Sequence, residues 1–544
     1  MVTCVIPHHG RSLPAPPSVT VWQARDVGHL SDRSIPVVGI GVRLSGGRLR
    51  SVPVWLVPAT VTLLVTLVGL DTAQLWRDEL ATWSAATRGL GGLFRLAGTI
   101  DAATGPYYLF MHAWLASAGD SVAALRLPSA LAMAATAGLT AVLGHRLWDT
   151  RVGTLAGLLF AVLPGTSRYG QEARPYALVS ALAVLSTLLL VDALRRRTRR
   201  RWIGYAAATT ALGLTHLVAL TLLAAHAVAV LTTTIRADPA TDADAEGRRD
   251  RPSDSGKWQS PAPGRVVGYW LAALVPVAVA VVPLALTAGG QRGRQLDWVD
   301  AARPGDLAAL AGGVAQSGVV GGVLVGLAAL GAARAGRRAL LPLSSVLAPV
   351  LLLFLAGLVV PLWVPRYLVF VVPFGCLLAG AALTSVRLPA ALAVVALAGL
   401  LGLPEQAALR RTHEWPRTAT VDYRATAGII AASRRPGDAV VYSPRDSWLF
   451  LDLGLRYHLG GRVPRDALLA EGQEGRGDLW AAECDRPAEC LAGVDRVWLV
   501  LAGRSSDPLA AVPGAKGDAL RDRFTVTEVW PRAGLTLALL TRHG

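Results

Sequence analysis

Long apolar stretches recur from Pro53 to Leu403, separated by short arginine-rich links, and they leave few folds open. Val266 to Leu286 and Ala339 to Leu362 carry no charged residue at all. A helix needs roughly 20 apolar residues to cross a bilayer, so runs of this length read as spans rather than as the stripes of soluble helices. The other candidates are Pro53 to Leu70, Leu127 to Leu143, Val152 to Leu163, Tyr176 to Leu194, Ile203 to Leu214, Leu217 to Ile235, Val314 to Leu330, Tyr367 to Leu383 and Leu388 to Leu403. Together they predict a mainly α, polytopic transmembrane helical protein with about 11 spans.

Charge sets the orientation. The 53 Lys+Arg against 37 Asp+Glu give a net charge of +16, which in a soluble protein would point to nucleic acid. Here the basic residues cluster between apolar runs, as "HRLWDTR" at 145–151, "RRRTRRR" at 195–201, the loop 236–265 and "RAGRR" at 334–338. Such clusters mark the cytoplasmic side. No nucleic-acid motif is present, and no nucleic-acid partner is expected.

These links share one side only if "GPYYLFMHAWLASAG", Gly105 to Gly119, does not cross. It is short and rich in aromatic rings, which suits an interfacial helix. An odd number of spans then leaves the chain after Leu403 outside. The sequence divides into a polar segment 1–50, read as a disordered cytoplasmic N-terminus preceding an uncleaved first span, a membrane domain 51–404 with a first outer loop 71–126, and a tail 405–544. In the tail, "DYRATAGIIAASRRPGDAVVY" reads as helix, turn and buried strand, and "DRVWLVLAG", "FTVTEVW" and "LTLALLTR" as strands, giving a small extracytoplasmic α/β domain. Cys484 and Cys490 lie close together in it, and an oxidising compartment favours a structural disulfide between them. The expected location is the plasma membrane, multi-pass, with the active site outside.

The outer loops hold the chemistry. "LWRDELATW" places Asp78 and Glu79 side by side between Trp76 and Trp83, at a membrane boundary where a carboxylate can take a proton from a hydroxyl. On the same side lie Arg126 in "ALRLPS", Gln171, Glu172, Arg174 and Tyr176 in "SRYGQEARPYAL", and Arg366 and Tyr367 in "WVPRYL". One such arginine commonly snorkels to lipid headgroups, whereas several facing a carboxylate describe a phosphate pocket, since guanidinium binds phosphate in bidentate fashion. Carboxylate, arginines and apolar walls together point to glycosyl transfer from a lipid-linked phosphate. A transporter or flippase for a lipid-linked or anionic substrate is the rival reading. It predicts paired halves and ionisable residues in mid-span, and neither is evident here.

The order "WRDE", then "GPYYLFMHAWLASAGDSVAALRLPSAL", then "HRLWDTRVGTLAGLLFAVLPGTSRYGQEARPYAL", with "VPRYLVFVVP" later, resembles the C-type, polyprenyl-phosphate-sugar-dependent glycosyltransferases, the superfamily of protein O-mannosyltransferases and aminoarabinose transferases. The resemblance covers roughly residues 50 to 405 and implies an inverting transferase. It makes Asp78 the base, with Glu79 supporting it or contacting acceptor or metal, and Arg126 and Arg174 the holders of donor phosphate. Gln171, Glu172 and Tyr176 would line the pocket, and Arg366, beside Tyr367, would neutralise the leaving phosphate. Tyr107, Tyr108 and His112 would face the acceptor or shape the loop. It also implies a polyprenyl-phosphate sugar donor, mannose first and arabinose or glucose behind it, and an extracytoplasmic glycan, lipid or protein acceptor. Members of the class differ in needing a divalent cation. Asp78 and Glu79 are the two carboxylates that would ligate one, and no closed ligand set is visible in the sequence.

Overall fold

The computed structural model describes residues 52–196, 198–235, 263–414 and 419–543. The expectations for segment 1–50 and for nearly all of loop 236–265 lie outside them. The helices of the first half are α1 (Leu56–Leu67), α2 (Arg77–Ala86), α3 (Leu90–Thr99), α4 (Gly105–Ala118), α5 (Val122–Leu147), α6 (Thr150–Val162), α7 (Pro164–Gly170), α8 (Tyr176–Arg196) and α9 (Arg199–Thr215). There follow α10 (Leu222–Ile235), α11 (Pro263–Gln295), α12 (Pro304–Ala315), α13 (Gly318–Ala335), α14 (Leu340–Val359), α15 (Val372–Leu383), α16 (Leu388–Leu401) and α17 (Leu403–Leu409).

Among the described residues five helical runs are long and apolar enough to cross a bilayer, or six if the bent pair α16–α17 counts as one. Three further apolar helices, Leu56–Leu67, Thr150–Val162 and Leu217–Thr233, are shorter. The expectation of about 11 spans is therefore met only in outline. Several of the expected runs fold as helices shorter than a span. α1 has 12 residues, and its Thr62 and Thr66 hydroxyls bond back to the carbonyls of Pro58 and Thr62 at 2.8 Å, so even its polar side chains are satisfied within the helix. The expected run Val314 to Leu330 is broken at Gln316, which takes the left-handed conformation at φ 60° between α12 and α13. α4, at 14 residues, is not among the runs that qualify as spans and packs against α2 and α3.

Close backbone approach holds the helical part together. A Cβ on Gly331 of α13 would lie 1.8 Å from the carbonyl oxygen of Leu378 in α15, and one on Gly153 of α6 would lie 2.2 Å from that of Ala141 in α5. Only glycine permits these two crossings.

The chain after α17 forms α18 (Tyr423–Ser433), β1 (Ala439–Ser443), α19 (Leu451–Leu459), β2 (Arg465–Asp466), β3 (Leu469–Glu471), β4 (Ala482–Glu483), β5 (Arg496–Ala502), β6 (Phe524–Arg532) and β7 (Leu535–Arg542). The main sheet has the order β2-β1-β5-β7-β6, with β1 parallel to both β2 and β5 and the β6–β7 hairpin antiparallel. Strand alternation sorts its side chains into two cores. Ala439, Val441, Val497, Leu499 and Leu501 face one way. Val440, Tyr442, Trp498, Val500 and Leu537 face the other, into a core that also contains Leu75, Leu80, Trp83, Ile100, Tyr107 and Tyr108 of the first loop. Sheet and loop are thus welded through one apolar core. Polar ties reinforce it: Arg88 donates to the carbonyl of Asp478 at 2.7 Å, and Tyr457 to that of Asp120 at 3.1 Å. Cys484 and Cys490 are joined by a disulfide.

Candidate functional site

The site begins where α2 begins. Trp76 is extended, and the helix that starts at Arg77 puts Asp78 and Glu79 in its first turn, where carboxylates are favoured by the unpaired amides. Successive helical residues point about 100° apart, so the two neighbours face different surroundings.

Glu79 points into the protein. Its Oε1 accepts from Arg126 Nε at 2.8 Å and from the Ala173 amide at 2.9 Å, and its Oε2 from Arg126 Nη2 at 2.6 Å and the Trp76 amide at 3.3 Å. Arg126 also donates to the carbonyls of Leu70 and Ala73, both at 2.9 Å, and of Gln74 at 3.1 Å. A guanidinium has five N–H groups, and these contacts use all five. Both side chains are 0% exposed. The expectation that Arg126 holds the donor phosphate, and that Glu79 contacts acceptor or metal, is corrected by this geometry: the two are a closed internal clamp.

Asp78 faces a cavity of about 350 Å³. Its Oδ2 lies 3.5 Å from Arg366 Nη2, and both side chains keep 19% exposure. Arg366 donates through Nε to the Tyr176 hydroxyl at 3.0 Å and lies over the Trp298 ring at 5.2 Å. Arg174, Tyr108 and Tyr367 line the same cavity. Burial alone would raise the Asp78 carboxyl, but Arg366, Arg174, Arg77 and Arg168 outweigh it and hold the group below the ordinary carboxylate range. A second cavity, of about 400 Å³, shares Arg174, Gln295, Leu296 and Tyr367 with the first. It adds Tyr176, His216 and Arg292 and is otherwise walled by groups such as Leu217, Val218, Ala285 and Leu362.

Other expected residues lie elsewhere. Gln171 donates to the carbonyls of Thr66 and Val68 at 2.8 Å, which fastens its turn to the end of α1. Glu172 is buried beside Arg168 at 3.5 Å and lines neither cavity. Tyr107 is buried in the shared core, and His112 Nδ1 sits 3.0 Å from the Ala86 carbonyl. Tyr108 alone of that group reaches the Asp78 cavity, where its hydroxyl donates to Asp101 Oδ2 at 2.5 Å. Polar residues facing inward are as common in these outer loops as residues facing the pocket, and sequence position does not separate them.

The converse also holds. Arg77, Asp101, Gln295, Trp298, Trp448 and Phe450 line the Asp78 cavity without a distinguishing sequence signal. His216, in "LTHL", reads as a helix cap, yet its ring lies 5.0 Å from that of Tyr367 and 6.0 Å from that of Tyr176. Among the described residues no three His, Cys, Asp or Glu side chains gather as a metal-ligand set. With Glu79 committed to Arg126, the Asp78–Glu79 pair offers a cation one available carboxylate.

Two buried carboxyls set a pH dependence of stability. Burial, augmented by the charges of Asp78 and Glu79 and only partly offset by Arg168, raises Glu172 to about 7. Burial likewise raises Glu414 to about 7 against the attraction of Arg77 at 3.8 Å. A folded-state value above the unfolded one means that the stabilising contribution is complete below about 4.5 and is lost as pH rises through about 7. Thermal unfolding in detergent should show a midpoint that falls between about pH 5 and pH 8. Glu172→Gln and Glu414→Gln should each flatten that slope, and an unchanged slope in both would refute the assignment.

Residues 104–239 match the family model described as dolichyl-phosphate-mannose-protein mannosyltransferase. The fold is similar to that of ArnT from Cupriavidus metallidurans in the apo state, with a TM-score of 0.55, 15% identity, and coverage of 89% of this chain and 97% of that one. The structure of the same protein bound to undecaprenyl phosphate is similar with a TM-score of 0.54, 15% identity and the same 89% and 97% coverage. No curated protein sequence matches the chain. The fold combines a helical body, with runs long and apolar enough to cross a bilayer, and a small sheet domain packed over its first loop. The family match covers residues 104–239, part of the helical body, and the likeness to ArnT is one of fold.

Proposed function

We propose that this protein is a membrane glycosyltransferase that moves a sugar from a polyprenyl phosphate to an acceptor hydroxyl on the extracytoplasmic side, with Asp78 as the base. One observation carries the reading. Asp78 faces Arg366 and Arg174 in a cavity that shares walls with a second, apolar-walled one. The apolar cavity suits a lipid chain, Arg174 and Arg366 suit its phosphate, and Asp78 stands where the sugar would lie between phosphate and acceptor. That ArnT has been solved with undecaprenyl phosphate supports a donor of this kind. The placement of the arginine clusters supports an outward-facing site in the plasma membrane.

The acceptor oxygen attacks the anomeric carbon as its proton passes to Asp78. The bond from that carbon to the phosphate oxygen breaks, and its electron pair leaves with the lipid phosphate. Attack from the face opposite the leaving group inverts the anomeric centre. Arg366 and Arg174 are fixed before reaction, so they stabilise the charge that develops on phosphate at little reorganisation cost. Without donor, Arg366 pairs with Asp78. An incoming phosphate competes for that guanidinium, which frees the carboxylate and raises its basicity. Mannose is the first sugar to test, as the matched family's description names it.

The test is transfer by the chain in nanodiscs, given polyprenyl-phosphate mannose, arabinose and glucose in turn with membrane extract as acceptor source. Transfer should occur with a lipid-linked donor and not with nucleotide sugars. Activity with nucleotide sugars, or none with any donor, would sink the reading. Arg366→Lys keeps the charge but loses the fork that reaches Tyr176 and Asp78 together, and it should lower kcat/KM for donor by about 10- to 100-fold. An unchanged value would remove Arg366 from the donor site.

A further inference from the structure

The Asp78 cavity has two unlike walls. Its arginines, Arg77, Arg174 and Arg366, come from the first loop and the helical body. Another wall comes from the sheet domain, where Trp448, Phe450 and Leu479 contribute aromatic and aliphatic surface and no charge. None of those three lines the apolar cavity that suits the lipid. Asp101 also lines the cavity, and its two carboxylate oxygens accept from Tyr108 and from Gln295, each at 2.5 Å. A carboxylate oxygen can accept more than one bond, so Asp101 retains acceptor capacity toward the cavity.

The aromatic wall is built to stay in place. It hangs from the loop that leaves the carboxyl end of β1, the strand flanked on both sides by parallel neighbours, and ligand sites of parallel sheets form at such ends. Phe450, buried and without a glycine's freedom, is held at φ 50°. Such conformations persist where the surroundings over-determine them. Here its ring stacks on Trp480 at 5.8 Å, and Trp448 meets Trp480 at 4.7 Å and Phe450 at 6.0 Å. The Trp480 indole N–H donates to the Ser447 carbonyl at 3.0 Å, and Arg294 of α11 pairs with Asp478 at 2.9 Å. Trp448 is half-buried, so it keeps accessible surface where it lines the cavity.

We infer that this wall is the acceptor subsite, and that the acceptor is a saccharide whose ring packs on Trp448 with its hydroxyls toward Asp101. The inference rests on the transferase reading and adds to it the acceptor class. A sugar ring has an apolar C–H face and a rim of hydroxyl donors, which match an uncharged aromatic surface beside a carboxylate. An acceptor recognised through its own phosphate would need a cation on this wall, and the sheet domain supplies none to the cavity.

The test uses the full chain in nanodiscs and two readouts. Saturation-transfer NMR, without donor, measures binding of linear hexose and pentose oligosaccharides and of a lipid-linked oligosaccharide. Binding of undecaprenyl phosphate is measured in parallel. Trp448→Ala should weaken saccharide binding, and raise the acceptor KM in transfer, by about tenfold or more. Trp448→Phe should recover part of the loss, while the Kd for undecaprenyl phosphate stays within about twofold. Binding of the free and lipid-linked saccharides to similar extents assigns the site to the ring alone, and preference for the lipid-linked one assigns it to a carried sugar. The inference is overturned if no saccharide binds the wild type, if Trp448→Ala binds them equally, or if peptides rather than saccharides are glycosylated. Failure of the transferase reading is seen separately, as saccharide binding sensitive to Trp448 with no transfer from any lipid donor.

Discussion

Asp78→Asn is expected to lower transfer by about 10²- to 10⁴-fold, the range that a positioned general base contributes. Asparagine has nearly the same shape but cannot take a proton, so the loss should fall on kcat. The donor KM should hold or drop, because Arg366 no longer has an internal anion 3.5 Å away competing with phosphate. A purely structural role for Asp78 predicts the reverse, a lower thermal midpoint and a higher donor KM. The pH profile gives a further check. The arginines hold the free carboxyl below its ordinary range, so the acid limb of kcat/KM should lie below that of an ordinary carboxylate. Bound phosphate cancels part of that positive field, so the limb of kcat should lie higher. Equal transfer by wild type and variant would move the base elsewhere.

The helical body was legible because its signal is compositional: uncharged runs such as Ala339 to Leu362 have no other stable destination. Short apolar runs in "DRVWLVLAG" and "LTLALLTR" likewise identified β5 and β7, whereas the two- and three-residue strands β2, β3 and β4 are too short to carry such a signal. The outer-loop carboxylates were found, but their division of labour was not. Asp78 and Glu79 are equivalent as letters, and the 100° between them decides which meets Arg366 and which meets Arg126. Arg126 and Arg174 are similarly alike in sequence, and only the carbonyls of Leu70, Ala73 and Gln74 reveal that the first is spent internally. The wall made by Trp448 and Phe450 was out of reach because it depends on how the sheet docks, a contact between segments more than 300 residues apart, as the bond from the Tyr457 hydroxyl to Asp120 illustrates at a separation of 337.

The Glu79–Arg126 clamp should govern whether the protein folds at all. Removing one member of a buried, hydrogen-bonded ion pair costs about 3–5 kcal/mol, a large part of the 5–15 kcal/mol margin typical of a native domain. The two losses are not equivalent. Without Glu79, Arg126 keeps three carbonyl partners, and the amides of Trp76 and Ala173 are left open. Without Arg126, a buried carboxylate keeps only those two amides, and the carbonyls of Leu70, Ala73 and Gln74 lose their shared donor just where the chain leaves α1 for α2. Arg126→Met should therefore be the more damaging, with membrane level and thermal midpoint both falling further than in Glu79→Leu. The double variant should be less unstable than the sum of the two, since no lone charge remains, and the coupling should be of the order of 1–3 kcal/mol. Undecaprenyl phosphate decides between clamp and donor site. The fraction of either single variant that stays folded should bind it as the wild type does, and a selective loss of that binding in Arg126→Met would return Arg126 to the phosphate.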